Sequence, residues 1–253
     1  MISIIIPVLN EAQNIQSVLS HLTSHASKDH VAEILVVDGG SSDETIAITQ
    51  HFARTSLFPV SVIASEKGRA KQMNKGAKVA TGSVLYFLHA DSFPPKQFDT
   101  FILEEVAKGN PAGCFKMRFD SNHWWLKLAG WFTRFSWRAC RGGDQSQFIT
   151  QELFTDIGGY DDRFIIYEDN ILINELYARE TFVVIPEALT SSARLYREKG
   201  VWFVQYHFFM IYLKKWLGAD AEALYQYYCK HLKGSPKTIP SSSKKPEEIF
   251  VDR

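Results

Sequence analysis

Residues 2–38 have the sequence ISIIIPVLNEAQNIQSVLSHLTSHASKDHVAEILVVD and predict a strand, a helix and a second strand. Ile2–Ile6 and Glu33–Val37 are short, β-branched apolar runs, typical of central parallel strands that are buried on both faces. Between them, Asn14–Leu22 carries its apolar residues at helical spacing. A strand–helix–strand unit of this kind makes a right-handed crossover, so the sequence predicts a parallel sheet.

The same alternation continues outward to about residue 89. The next predicted elements are a helix at Asp43–Phe52 capped by Ser41 or Ser42, a strand at Val60–Ala64, a helix at Arg69–Ala80 and a strand at Ser83–His89. We therefore predict the α/β class, with a single Rossmann-like, mostly parallel sheet flanked by helices.

The rhythm changes in the second half of the chain. Predicted helices are Phe98–Lys108, Gln151–Ile157 (closed by Gly158 and Gly159) and Glu168–Ala178, and predicted strands are Ala112–Phe119, Gln147–Thr150 and Phe182–Ile185. Val201–Leu217 is rich in aromatic residues, but polar residues interrupt it, and it falls short of the roughly 20 apolar residues that span a membrane. The polar, Pro- and Ser-rich residues 234–253 predict a flexible tail.

Composition excludes several classes of protein. The 253 residues are 45% hydrophobic, enough for a sizeable core, and the 28 basic residues balance the 28 acidic ones, so charge gives no support for nucleic-acid binding. Three distant cysteines, Cys114, Cys140 and Cys229, show no spacing typical of zinc sites or disulfides. With no basic, apolar leader at the start, we expect a reduced, cytoplasmic chain.

Acidic residues follow several of the predicted strands. Asp38 follows the second strand and Asp91 the fourth, where an open parallel sheet binds its ligands. A divalent metal ion with a diphosphate would explain carboxylates at such an edge, because hard cations prefer oxygen ligands. The alternative is structural, with Asp43 capping a helix and Asp38 beginning a turn.

Four segments together resemble the family 2 glycosyltransferases of GT-A fold. They are IIIPVLNE (residues 4–11), VVDGGSSDET (36–45), EKGRAKQMNKGAKVATGSVLYFLHAD (66–91) and FITQELFTDIGGYDDRFIIYEDNILINEL (148–176). The GRAKQMNKGA and LHAD forms resemble a bacterial branch described as radical-SAM/selenodomain-associated, or arsenosugar-biosynthesis, glycosyltransferases. The resemblance implies an inverting hexosyltransferase that takes its sugar from a nucleoside diphosphate, with uridine favoured.

The resemblance also implies roles for residues of the donor site. Pro7 and Glu11 would shape the nucleotide pocket, and Asp38 would accept a hydrogen bond from the pyrimidine. Arg69 would lie near the base or the diphosphate, where a planar guanidinium suits both. Asp91 matches the last acid of the family's DxD motif and would bind the metal ion, Mn²⁺ or Mg²⁺.

The sequence departs from this motif at its first position, where His89 stands. An imidazole can bind a metal ion or a ribose hydroxyl but offers no carboxylate, so the identity of the metal stays open. A structural, strand-end histidine is the alternative.

Asp169 matches the catalytic base of the family's ED motif, with Glu168 beside it. In an inverting transfer such a carboxylate takes the proton of the attacking hydroxyl. The alternative is that both acids only favour the start of a helix through its dipole.

The remaining candidates concern the leaving group and the acceptor. Lys71, Arg194 and Arg197 could stabilise the developing diphosphate charge. Asp144 and Gln145 follow two glycines in the part of the domain where relatives bind the acceptor, although turn chemistry explains them equally well.

Two aromatic segments leave the surroundings of the chain open. Trp124, Leu128, Trp131 and Phe135 form one stripe at helical spacing, and Val201–Leu217 carries another. We favour docking of these helices on their own domain or on a second copy in a homodimer. The alternative is a membrane interface, which would make the chain peripheral on the inner face of a membrane and favour a lipid-linked acceptor.

The predicted organisation is one domain over residues 1–233. Residues 1–95 would form the nucleotide-sugar half, 96–199 the acceptor and catalytic half, and 200–233 C-terminal aromatic helices. A sugar-nucleotide pyrophosphorylase or a dinucleotide-dependent oxidoreductase is disfavoured, because no glycine-rich loop follows the first strand. A non-catalytic nucleotide-sugar sensor or scaffold of the same fold is the remaining alternative, encouraged by His89.

Overall fold

A computed structural model of the chain describes residues 1–142 and 145–233. The strands are β1 (Ile2–Val8), β2 (Val31–Asp38), β3 (Val60–Ala64), β4 (Val84–Phe87), β5 (Ser92–Phe93), β6 (Ala112–Phe119), β7 (Gln147–Thr150) and β8 (Phe182–Ser191). The helices are α1 (Ile15–His25), α2 (Thr45–Thr55), α3 (Arg69–Val79), α4 (Phe98–Ala107), α5 (Trp124–Phe132), α6 (Gln151–Ile157), α7 (Glu168–Ala178), α8 (Arg194–Lys199), α9 (Val201–Trp216) and α10 (Ala221–His231).

The strands form one sheet in the order β3-β2-β1-β4-β7-β6-β8-β5. The first four are parallel to one another, as predicted. β1 lies between β2 and β4, and its isoleucines are fully buried, as is typical of a central strand. β7 is antiparallel to both β4 and β6, whereas β6 and β8 run parallel to each other. The carboxyl ends of β1, β2, β4, β6 and β8 and the start of β7 therefore lie at one edge of the sheet.

Two hydrophobic layers cover the faces of the sheet. One packs α1 and α4 against β1, around Leu19, Phe98 and Tyr86. The other packs α3, α6 and α7 on the opposite face, around Met73 and Leu172. A third cluster joins the end of β6 to α5, α8, α9 and α10 and places the C-terminal helices over the carboxyl edge. The subdivision of residues 1–233 stays a prediction.

The sequence predicts most element bounds within a few residues, but one helix cap is wrong. Ser41 and Ser42 do not cap α2; the Asp43 carboxylate accepts the amide hydrogen of Thr45 at 3.0 Å. The same carboxylate accepts from Ala12 at 3.1 Å and so also holds the loop after β1. Asp43 is therefore the structural residue that the alternative interpretation expected.

The aromatic stripe of α5 is not the face that packs against the sheet. Leu126 and Gly130 are the buried residues of this helix, whereas Trp124 and Trp131 are 61% and 44% exposed. An added Cβ at Gly130 would lie 2.9 Å from the carbonyl oxygen of Met117, so this glycine lets α5 approach β6 closely. The stripe is exposed because the narrow, small-residue face is the one that fits against the sheet.

The helix α9 also leaves aromatic residues at the surface. It buries Val204, His207 and Ile211, while Trp202 and Phe209 are more than half exposed. Within residues 1–142 and 145–233, no helix is long and apolar enough to cross a membrane. The predicted tail, residues 234–253, lies outside the described residues.

Candidate active site

The site is built where loops from several strands meet at the carboxyl edge of the sheet. The loop after β4 carries His89 and Asp91, and the two-residue strand β5 that follows pairs with the end of β8. The amide of Ser192 donates to the carbonyl of Asp91 at 3.2 Å, which fixes the Asp91 loop against β8. The start of α7 faces the same edge and supplies Glu168 and Asp169.

Arg69 joins the two acids at the start of α7. Its Nη1 lies 3.2 Å from Oε1 of Glu168 and 3.5 Å from Oδ2 of Asp169. Glu168 is fully buried, and burial raises the pKa of its carboxyl above the usual value although the Arg69 guanidinium opposes the shift. Arg69, the first residue of α3, thus contacts both acids.

The backbone before the acids is unusual. Tyr167 has a φ of 73°, a conformation that side chains other than glycine rarely adopt, and it directly precedes Glu168. Asn10, in the loop after β1, also has a positive φ, of 58°. Tyr167 borders a cavity at this edge of the sheet, and a residue in this conformation beside a cavity is typical of a functional site.

Tyr160 lies under the acid pair. Burial raises the pKa of its phenol well above the ordinary value, and the carboxylates of Asp169 and Glu168 reinforce the shift. The ring packs edge-on against Phe87, with 5.1 Å between the ring centres. The two acids therefore lie next to a neutral, buried phenol and its aromatic neighbour.

The loops after β1 and β2 form a second, adjoining part of the edge. The buried Asp38 carboxylate accepts the amides of Gly40 at 2.9 Å and Ser41 at 3.1 Å, so it organises its own turn. The Asn10 side chain accepts the amide of Ser42 at 2.8 Å and ties the two loops together. The predicted turn role of Asp38 is thus present, and pyrimidine contact stays a prediction.

Gln72 was missed in the sequence analysis. Its side-chain nitrogen donates to the carbonyls of Val8 at 2.8 Å and Val37 at 2.7 Å, and the residue is buried. It therefore fixes the ends of β1 and β2, from which the two loops depart. A glutamine on the apolar face of a helix was the signal in the sequence.

Glu11 connects the first loop to α8. It accepts from the Asn14 amide at 2.6 Å, and its other oxygen lies 3.5 Å from Nη2 of Arg194. The two other candidate cations are engaged elsewhere: Lys71 pairs with Glu66, and Arg197 pairs with Asp120 at 2.9 Å. Of the three, Arg194 is the one that lines the central cavity.

A cavity of about 710 Å³ opens at this edge. Six of the candidate site residues named from the sequence line it, namely Arg69, His89, Asp91, Gln145, Asp169 and Arg194. Pro7 borders a much smaller void that it shares with His89 and Asp169. Glu11 and Asp38 belong to the adjoining loops and are not in the cavity wall. Asp144 lies outside the described residues.

His89 and Asp91 are the residues at this edge that suit a divalent cation. Within the part of the chain that the structure describes, no three His, Cys, Asp or Glu side chains gather into a complete metal site. Mg²⁺ commonly takes only one or two protein carboxylates and completes its shell with phosphates and water. The residues therefore fit an ion that binds together with a diphosphate.

Comparisons with known proteins agree with this architecture. The family model described as Glycosyl transferase family 2 matches residues 3–172. Glycosyltransferase AglE from Haloferax volcanii is 36% identical over 98 residues, covering 38% of this chain and 32% of the relative. Dolichol-phosphate mannosyltransferase from Pyrococcus furiosus is 32% identical over 111 residues, covering 43% and 31%. The chain thus spans about a third of the length of these relatives.

Solved structures show the same fold. TarS 1–349 from S. aureus, in complex with UDP, superposes with a TM-score of 0.64 at 17% identity over 76% of this chain and 60% of that one. The mannosyltransferase PcManGT from Pyrobaculum calidifontis, in complex with GDP-Man and Mn²⁺, gives a TM-score of 0.68 at 17% identity over 92% and 68%. The predicted GT-A fold is confirmed.

Proposed function

The chain belongs to glycosyltransferase family 2, and we propose that it transfers a sugar from a nucleoside diphosphate to an acceptor hydroxyl with inversion at the anomeric carbon. The observation that carries this proposal is that Asp91 and Asp169 line one cavity at the carboxyl edge of the sheet. A carboxylate for a metal ion that binds the donor's diphosphate and a base for the acceptor hydroxyl are thus available in the same cavity.

Asp169 is the proposed general base. It removes the proton of the acceptor hydroxyl while the hydroxyl oxygen attacks the anomeric carbon. The bond from that carbon to the diphosphate breaks, and the nucleoside diphosphate leaves with the electron pair. Because attack and departure occur on opposite faces, the configuration inverts. Glu168 is buried behind Asp169 and holds Arg69 in position.

The donor nucleotide would bind on the loops after β1 and β2. Pro7 and Glu11 supply one side and Asp38 the other, and Gln72 holds the two loops in register. Arg194 reaches Glu11 and lies at the mouth of the cavity, where it is available to a diphosphate. We favour UDP over GDP as the nucleotide.

A divalent metal ion would be held by Asp91 with His89 beside it. When bound, it would neutralise charge on the diphosphate as the leaving group departs. Mn²⁺ accompanies GDP-Man in the PcManGT structure, which supports a divalent ion that binds together with the nucleotide sugar.

Product analysis tests the proposed function. The protein is incubated with Mn²⁺ and a panel of UDP- and GDP-sugars, and release of nucleoside diphosphate is measured with and without a panel of hydroxyl acceptors. We expect release from one nucleotide's conjugates, with an anomeric proton coupling in the product that shows inversion. A product with retained configuration would overturn the role given to Asp169.

The same experiment separates the enzyme from a non-catalytic sensor of the same fold. A sensor would bind the nucleotide sugar without releasing the diphosphate under any acceptor condition. Retention of both Asp91 and Asp169 at the cavity supports the enzyme, because a sensor has no use for a base.

A further inference from the structure

The cavity at the active site has two chemically different ends. Asp91, His89 and Asp169 form one end, at the carboxyl edge of the sheet. The opposite wall is mostly apolar and comes from β6, α5 and α9, with Met117, Leu128 and Phe208 among its residues and Gln205 as a polar one. A sugar presents mostly hydroxyl groups, so an apolar wall of this extent has no evident use in holding the donor sugar.

The donor nucleotide is also not the occupant of this apolar end. Glu11 and Asp38, on the loops proposed for the nucleotide, lie beyond the cavity wall on the side of β1 and β2. The apolar end extends the other way, toward α9 and α10. Asp169 stands between the two regions, so the apolar end is where the acceptor approaches the base.

One buried polar group marks the place of the acceptor's oxygen. Gln145 lines the cavity and is only 5% exposed, and its side-chain nitrogen has no hydrogen-bond partner among residues 1–142 and 145–233. A buried amide hydrogen without a partner is destabilising, and a ligand oxygen that accepts it removes that cost. Gln145 also borders the small void that Asp169 shares with His89. The hydrogen-bond donor of Gln145 and the proposed base, Asp169, therefore lie at the same place.

The apolar wall continues to the protein surface. Leu128, Phe132 and Tyr212 line the cavity and are each between 37% and 39% exposed. Trp125 also lines the cavity, and its ring contacts those of the exposed Trp124 and Trp202, with 5.7 Å and 5.3 Å between ring centres. A molecule with its oxygen at Gln145 could thus run outward over apolar contacts along its whole length.

We propose that the acceptor is an apolar molecule that carries a hydroxyl group, with its apolar part between α5 and α9 and its hydroxyl at Asp169 and Gln145. This inference rests on the proposed function. The hydroxyl oxygen bonds to the anomeric carbon, the diphosphate leaves with the bonding electrons, and the hydroxyl proton passes to Asp169. The apolar part selects the acceptor because water is displaced from the wall only when that part is present.

Two probes that share a glucose head group and differ only in the length of the alkyl chain test the acceptor class. Octyl β-glucoside (below its micelle concentration) and methyl β-glucoside are titrated into the full chain with UDP and Mn²⁺ present. We expect octyl β-glucoside to bind about 100-fold more tightly, as burial of three or four methylene groups predicts. Phe132→Ser and Leu128→Ser should each weaken octyl β-glucoside binding about tenfold and leave UDP binding unchanged.

Leu57→Ser is the matched control, because Leu57 is 76% exposed and lies next to β3, at the far side of the sheet. It should change neither affinity, and UDP binding by each variant shows that it is folded. If UDP binds but the two glucosides bind alike, the inference is overturned and the proposed function stands. If neither UDP nor GDP binds, the proposed function fails and this inference fails with it.

The source of the acceptor is a separate arm of the test. The protein is floated with phosphatidylcholine vesicles that contain dioleoylglycerol, a bilayer lipid with a free hydroxyl. Flotation that depends on dioleoylglycerol identifies a membrane lipid, whereas octyl β-glucoside binding without flotation identifies a free apolar alcohol. Both results support the acceptor class.

Discussion

Arg69 Nη1 lies 3.2 Å from Oε1 of Glu168, so the first residue of α3 meets the first residue of α7. The Arg69 side chain is 44% exposed while that of Glu168 is fully buried, and the same nitrogen reaches Asp169 at 3.5 Å. The cation thus links the interior to the cavity. The arrangement orients the Asp169 carboxylate at the wall of the cavity.

Asp169→Asn should abolish most transfer and spare donor binding. An amide of the same shape cannot take a proton, and loss of a general base lowers rates by roughly 10²- to 10⁴-fold. The measurements are nucleoside diphosphate release under saturating donor and a calorimetric titration of UDP. Asp29→Asn is the control, because Asp29 is exposed and lies before β2, at the opposite edge of the sheet. Normal turnover by Asp169→Asn would remove Asp169 from the mechanism and make Glu168 the candidate base.

Arg69→Gln should move the acid limb of the kcat/KM profile to higher pH. The Arg69 cation lies 3.5 Å from Oδ2 of Asp169, and loss of a nearby positive charge makes the charged form of a carboxylate less favourable. The profile is recorded between pH 5 and pH 9 for wild type and variant. Arg54→Gln, at the exposed end of α2, should leave the profile unchanged. An acid limb that stays in place for Arg69→Gln would show that this ion pair does not govern the base.

Glu168→Gln should change how stability depends on pH. Burial raises the pKa of Glu168 above its unfolded value, so its contribution is fully present below the unfolded pKa, near 4.5, and is lost as pH rises through the folded pKa. Gln cannot titrate. The free energy of unfolding of wild type minus that of Glu168→Gln should therefore fall between pH 4 and pH 8, as measured by urea denaturation.

The matched control for that experiment lies on the same helix. Glu175→Gln is this control, because it removes a carboxyl group at a position that is 47% exposed. A wild-type advantage over Glu168→Gln that grows with pH would mean that attraction to Arg69 outweighs burial.

Gly76→Ala should destabilise the fold by about 1–3 kcal/mol, because overpacking of a tight contact costs that much. An added Cβ would lie 2.5 Å from Cγ2 of Ile5 and 3.1 Å from Cγ2 of Val37, so α3 would have to lift from β1 and β2. Since α3 carries Arg69, we expect transfer to fall as well. Equal or greater stability on urea denaturation would show that helix propensity dominates at this position. Lys75→Ala, at an exposed position of the same helix, is the control.

The order of elements could be predicted from the sequence because local patterns specify it. The bounds of α6 match the prediction because Thr150 caps its start and Gly158, with a φ of 87°, ends it. β8 extends from the predicted end at Ile185 to Ser191 because it pairs with β6 beyond an irregularity at Phe115. That pairing joins residues about 70 positions apart, which no local pattern reveals.

The site was predictable where a motif names a residue and unpredictable where packing decides. Asp91, which follows a predicted strand, and Asp169, at the start of a predicted helix, do line one cavity, and Gln145 from the loop before β7 lines it too. The contact of Arg69 with Glu168 depends on how α3 and α7 pack on the same face of the sheet. The orientation of α5 was likewise not predictable from the sequence. Its aromatic stripe is the stronger pattern, but the face with Gly130 is the one that packs against β6.

A calorimetric titration of UDP and GDP, each with Mn²⁺, Mg²⁺ or EDTA, tests the central claim of a metal-assisted nucleotide-sugar site. Wild type is compared with Asp91→Ala and with Asp29→Ala as the control. We predict that one nucleotide, UDP, binds wild type and the control in the presence of metal, and that EDTA or Asp91→Ala removes binding. Failure of wild type to bind either nucleotide under any metal condition would contradict the account.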